Sequence, residues 1–96
     1  MAATKEERPF ELDADAKEFY VDSAHIVTQL YSTIAYLGKL RENEKPLVHL
    51  IVRMSPPMMK VLSLILSKHA KDYERNFGPI SLPKQLLHGL GLEELL

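Results

Sequence analysis

The sequence lacks cysteine and tryptophan, has almost no net charge and contains no long apolar run. Without cysteine, the chain cannot form disulfide bonds or thiolate metal sites. A formal net charge of −1 argues against a general nucleic-acid or anionic-membrane binder, because both depend on a large positive field. No apolar run approaches the roughly eighteen residues of a membrane span, and the charged residues 1 to 8 do not resemble a signal peptide. We therefore expect a cytoplasmic protein without a membrane segment.

The length of 96 residues predicts one small domain with a limited core. A chain of this size hides only roughly 60–65% of the surface that its unfolded form exposes. Because 46% of the residues are hydrophobic, association of several copies would bury apolar side chains that one copy leaves in water. We therefore expect a homodimer or a larger homo-oligomer.

The first 18 residues are dominated by charged side chains, with Phe10 and Leu12 as the main bulky apolar groups. So little apolar area cannot offset the entropy lost on ordering, so residues 1–18 are predicted to form a flexible arm. A single domain is predicted over residues 19–79, followed by a Leu-rich tail over residues 80–96.

Three segments favour β-strands because they are rich in β-branched and aromatic residues. They cover residues 19–28, 32–37 and 48–54. Gly38 is expected to help end the second strand, and the polar residues 39–46 are expected to form a loop with Asn43 as its turn residue. The connections are too short for crossover helices, so the pairing should be antiparallel.

A long helix is predicted between two clear boundary signals. Ser55 can accept a hydrogen bond from the first turn, and proline at positions 56 and 57 is tolerated there. Gly78 and Pro79 predict the end near Phe77. The helix should contain about 22 residues at 1.5 Å each, or about 33 Å.

The faces of this helix follow from about 100° per residue. A broad apolar stripe, expected to pack on the sheet, contains Met58, Leu62, Leu66, His69, Tyr73 and Phe77, flanked by Met59, Ile65 and Ala70. The polar side contains Lys60, Ser63, Ser67, Lys71, Glu74 and Arg75. Leu64 lies among the lysines and Val61 lies on the flank, so the N-terminal half is apolar over a wider arc than one contact requires.

Pro83 can open a short helix in the tail, and Gly89 and Gly91 should break it.

Together, these elements predict the fold class α+β, with a three-stranded antiparallel meander followed by one long helix and a short Leu-rich C-terminal helical tail. One helix covers only one side of such a sheet. The other side should meet a second copy, unless the tail folds back over it.

Several short segments resemble a known prokaryotic family. They are residues 19–24 (FYVDSA), 52–56 (VRMSP), 73–74 (YE) and 77–80 (FGPI), and the resemblance spans about residues 19 to 83. The chain resembles the family called domain of unknown function 3467. The resemblance implies a strand-rich first half packed on a long helix, and it implies no activity, cofactor or catalytic residue. The Pro56-Pro57-Met58-Met59 segment departs from the single proline and polar residue expected there.

No catalytic, cofactor or metal site is predicted. Asp22, Ser23 and His25 could suggest a nucleophile and a base, but neighbouring strand residues point to opposite faces and no group that would orient the base is evident. The four histidines lack the close spacing of metal ligands, and the glycines do not form a phosphate-binding loop.

The preferred function is a non-enzymatic, oligomeric binding or assembly module, because apolar surface is in surplus and no catalytic constellation is present. Candidate partner contacts are Val61, Leu64, Ile51, Leu86 and Leu90. Two alternatives are a SecB-like chaperone for apolar clients, by fold analogy, and a nucleic-acid-binding regulator. The regulator would use a basic helix face formed by Lys60, Lys68, Lys71 and Arg75. Acidic neighbours dilute this face, so a solvated surface is favoured over nucleic-acid contact.

Overall fold

The computed structural model describes residues 8–84, 87, 91 and 92. Its strands are β1 (Ser23–Thr28), β2 (Thr33–Arg41) and β3 (Glu44–Met54), and they are followed by one helix, α1 (Pro56–Phe77). The strands form an antiparallel sheet in the order β1-β2-β3. This architecture confirms the predicted α+β class. Within the described part of the chain, no helix is long and apolar enough to cross a membrane.

The first strand begins at Ser23, four residues later than its composition predicts. Asp22 makes the transition into the sheet: its backbone N–H donates to Gly38 O at 2.9 Å, and its Oδ1 accepts from Leu40 N at 2.8 Å. The side chain of Asp22 therefore satisfies the β2 backbone beyond the last strand pair, where β1 offers no carbonyl. Residues 11–20 are exposed and contain no strand.

The β2–β3 hairpin is longer than predicted, and its turn is shorter. Most of the expected loop is strand, and only Glu42 and Asn43 form the turn. Asn43 is confirmed as the turn residue, since its φ is 61° and asparagine tolerates the left-handed region. An ion pair between Arg41 and Glu44, at 3.0 Å, closes the hairpin.

Gly38 does not end β2. It lies within the strand, beside a shift in the pairing register, where Leu37 pairs with Leu50 but Gly38 pairs with Val48. The prediction that Gly38 terminates the strand is therefore wrong. Because this irregularity adds a residue to β3, Val48 lies opposite Gly38 rather than in the row of Leu50 and Val52.

The two sheet faces have different surroundings. The cleft face, which α1 partly overhangs, carries Ala24, Ile26, Thr33, Ala35, Leu37, Val52 and Met54. The outer face carries His25, Val27, Ile34, Tyr36, Ile51 and Arg53. Both β1 and β3 are edge strands.

Both predicted ends of α1 are confirmed. Ser55 is extended, and its Oγ accepts from Met58 N at 3.2 Å, which satisfies one of the donors exposed at a helix start. At the other end, Gly78 has a φ of 98° and donates its N–H to Glu74 O at 3.0 Å. Pro79 then prevents continuation.

The core of a single chain is small. Among the described residues, the buried apolar side chains are Ile34, Ala35 and Leu87. No residue of α1 is buried, and Tyr73 and Phe77, which contact one another with ring centroids 5.0 Å apart, are 49% and 74% exposed. The expectation that the whole apolar stripe packs on its own sheet is therefore wrong for the C-terminal half.

The tail is described only in part. Lys84 and Leu87 have helical backbone, and Leu87 N donates to Pro83 O at 3.2 Å, which is consistent with the short helix predicted there. Leu86 and Leu90, two of the candidate partner contacts, lie outside the described residues.

Candidate functional site

The candidate site is an open apolar cleft of about 540 Å³ between the cleft face of the sheet and the N-terminal half of α1. Its sheet side is formed by Ala24, Ile26, Thr33, Ala35, Leu37, Val52 and Met54. Its helix side is formed by Met59, Leu62, Ser63 and Leu66. The two sides belong to consecutive elements, so the cleft is complete within one chain.

The first turn of α1 contacts the sheet where both line the cleft. Thr33 is 2% exposed, and its Oγ1 lies 3.2 Å from Met59 Sδ. Farther along the helix, Leu66 is the last residue that lines the cleft, and it is 59% exposed. The apolar surfaces of sheet and helix thus face a shared space that neither fills.

Among the described residues that line the cleft, no polar side chain is free. Two hydroxyl-bearing residues line it, and the hydroxyl of each already has a partner. Thr33 Oγ1 contacts Met59 Sδ, and Ser63 Oγ donates to Lys60 O at 2.7 Å. Small-molecule sites combine apolar walls with a few polar groups that orient the ligand. This cleft is suited instead to aliphatic or aromatic side chains.

The three predicted partner contacts that lie within the described residues do not line the cleft. Val61 and Leu64 are 48% and 60% exposed on other sides of α1, and Ile51 is 63% exposed on the outer face of the sheet. Sheet and helix therefore do not bring these residues into one patch: Ile51 is separated from the helix by the sheet itself.

Two features were missed by reading the sequence. Ser63, predicted on the polar side of the helix, lines the cleft, because the side of α1 that faces the sheet is rotated slightly from the predicted apolar stripe. Leu30 and Tyr31, which lie between the first two predicted strands, are 79% and 85% exposed at the tip of the β1–β2 hairpin. In the sequence, two large apolar residues inside a short turn are the pattern that could have indicated this exposed pair.

That hairpin tip is fixed by polar contacts at its base. Gln29 N donates to Ser32 O at 2.8 Å, and Ser32 Oγ donates to Gln29 Oε1 at 3.1 Å. Arg53, from β3, donates to Ser32 Oγ at 3.0 Å. Leu30 and Tyr31 are therefore held in water by an ordered turn.

The basic face of α1 is partly neutralised by its own acidic residue. Asp72 accepts from Lys68 at 3.2 Å and from Arg75 at 3.1 Å. Lys60 and Lys71, the other two members of this face, are exposed. Half of the predicted basic face is thus engaged by a single carboxylate.

The residues considered for catalysis have structural neighbours. Asp22 binds the backbone of Leu40, Ser23 is buried, and the His25 ring lies 6.3 Å from the Tyr36 ring across the β1–β2 pair. Within the described residues, no group of three metal-ligating side chains is found.

No protein-family model, curated protein or solved structure matches this chain. The resemblance to the domain of unknown function 3467 family stays a prediction.

Proposed function

We propose that this protein is a non-enzymatic binding and assembly module that acts as a homo-oligomer in the cytoplasm. The observation that carries the proposal is the open cleft, whose walls are apolar and whose hydroxyl groups are already satisfied. Such a surface gains free energy by excluding water, at roughly 25 cal/mol for each Å² of apolar area buried.

The helix supports the same proposal. A 22-residue helix with no buried residue gains too little from its own chain to offset the cost of ordering it, because most helical stability in proteins comes from packing an apolar face. Contacts with another chain supply this packing. Exposed apolar residues on both the helix and the sheet extend the surface available to a partner.

A SecB-like chaperone is a second candidate, and the open form of the cleft favours it. A groove without polar lining accepts apolar segments of many sequences, since it imposes no hydrogen-bond pattern. A nucleic-acid-binding regulator is less supported, because Asp72 engages two of the four basic side chains that would contact phosphate.

Light scattering on the purified chain at micromolar concentration tests the proposal. We expect a mass of two or more copies of the 10.9 kDa chain. A monomer mass over the whole concentration range would contradict the assembly role. If the assembled protein binds an unfolded client, and if the client competes with self-association, the chaperone alternative would be favoured instead.

A further inference from the structure

Resting on the proposed homo-oligomer, we propose that the cleft of each copy receives α1 of a second copy, so that two chains pack reciprocally about a two-fold axis. Each helix would then line its own cleft with one side and enter the cleft of the partner subunit with another.

The first line of support is the width of the apolar arc on α1. Met59, Leu62 and Leu66 face the chain's own cleft. Val61, Leu64 and Ile65 lie on other sides and are 48%, 60% and 45% exposed. In the first three turns, apolar residues cover roughly 220° of the circumference, whereas a helix that packs on one surface needs an arc of only about 100°. The second part of the arc is unused within one chain.

The second line of support is the match between this unused arc and the cleft. Residues 61–67 carry no charge, so this segment of the helix can enter an apolar space without burying an ion of its own. The sheet side of the cleft contains the small residues Ala24 and Ala35, which let a helix approach closely, and Ile26, which is 51% exposed and can pack on it. The arc is aliphatic, and the two hydroxyl groups of the cleft lining already have partners, so the contact needs no further polar group.

The third line of support is the exposed area. The chain exposes 8812 Å². A folded monomer of this mass is expected to expose roughly 5,600 Å², so roughly 3,200 Å² is in excess. The exposed arm over residues 11–20 accounts for part of this area. A standard interface takes only about 800 Å² from each partner, and obligate dimers take more. The exposed side chains of Ile26 on the sheet and of Val61, Leu64 and Ile65 on the helix belong to the area that such an interface would bury.

Symmetry explains why one segment can serve as both donor and acceptor. In a two-fold dimer the same patch is used on both subunits, so every contact of one helix with the partner's cleft occurs twice. The assembly closes at two copies, since each cleft is then filled and each helix covered.

The test uses the unmodified protein. A sample refolded from equal amounts of ¹³C-labelled and unlabelled chain is studied by isotope-filtered nuclear Overhauser spectroscopy, which detects only contacts between copies. We expect contacts from the methyl groups of Val61 and Ile65 to those of Ile26 and Leu37. A dimer mass without these contacts between copies would overturn the helix docking and leave the assembly role intact. A monomer mass would overturn both.

Cross-linking gives a second, independent measurement, because the chain has no cysteine of its own. Ile26→Cys on one copy and Ile65→Cys on the other are mixed and oxidised. The matched control replaces Ile65→Cys by Lys71→Cys, which places the thiol on the polar side of the same helix. We expect at least tenfold more disulfide-linked heterodimer with Ile65→Cys. Equal yields from the two mixtures would contradict the docking.

Discussion

Gly38 lies so close to the backbone of Leu47 that no side chain fits between the two strands at this point. A Cβ built on Gly38 would overlap Leu47 O, lie 2.7 Å from Leu47 C and lie 2.8 Å from the Cα of Val48. These are backbone atoms of the paired strand, so no side-chain rotation can relieve the overlap. Glycine at position 38 is thus required by the close approach that accompanies the register shift.

The first prediction is that Gly38→Ala destabilises the fold by about 1–3 kcal/mol, the usual cost of overpacking. In an unobstructed strand, alanine would instead stabilise by roughly 0.5–1 kcal/mol, because glycine loses more entropy on folding. The sign of the change in unfolding free energy, measured by urea denaturation, therefore shows whether the backbone of β3 obstructs a side chain at position 38. Gly78→Ala is the comparison, since a Cβ added at Gly78 would meet nothing within 4 Å and the variant would incur only the strain of the φ of 98°.

The second prediction concerns the start of α1. Ser55→Ala should lower the free energy of unfolding by about 1 kcal/mol, because Met58 N loses the acceptor that Ser55 Oγ provides. Ser67→Ala is the matched control: the same atom is removed from the exposed helix interior, where alanine is favoured by a few tenths of a kcal/mol. Equal denaturation midpoints for the two variants would show that Ser55 does not cap the helix.

The third prediction tests the outer part of the apolar arc. Val61→Asp should weaken self-association at least tenfold, because a charge placed against an apolar partner surface is desolvated without a counter-ion. Leu64→Asp, at the edge of the same arc, should weaken it less. Ser67→Asp adds the same charge on the polar side and should leave the mass unchanged. The readout is the concentration dependence of the light-scattering mass.

Circular dichroism of each variant distinguishes a weaker interface from a lost helix. If Val61→Asp and Ser67→Asp associate equally well, Val61 is not part of a contact between copies.

The fourth prediction concerns the driving force of assembly. Raising the salt concentration from about 0.1 M to 1 M shortens the Debye length from about 10 Å to 3 Å, and this should leave an apolar interface as strong as before or stronger. We expect the dimer dissociation constant, from sedimentation, to rise less than about threefold. Nucleic-acid binding through Lys60, Lys68, Lys71 and Arg75 would instead collapse. A steep loss of self-association with salt would assign the interface to charged residues.

Local sequence alone determined the helix and the order of the elements. Ser55 and Gly78 mark the two ends of α1, and both were recognisable because capping depends on a few adjacent residues. Asn43 was identifiable for the same reason, since its positive φ is a property of one residue. The short connections then determined the antiparallel order of the strands.

The tertiary structure decided where the strands begin and end and how they are aligned. Asp22 can accept the hydrogen bond from Leu40 N only when the start of β1 lies beside β2. The close approach of Gly38 to Leu47 likewise depends on β3 being paired with β2. Such contacts join residues far apart in the sequence, so alternation along one strand does not reveal them. The cleft has the same origin: amphipathicity predicts that the helix has an apolar side, but only the placement of α1 beside the sheet shows the space that remains between them.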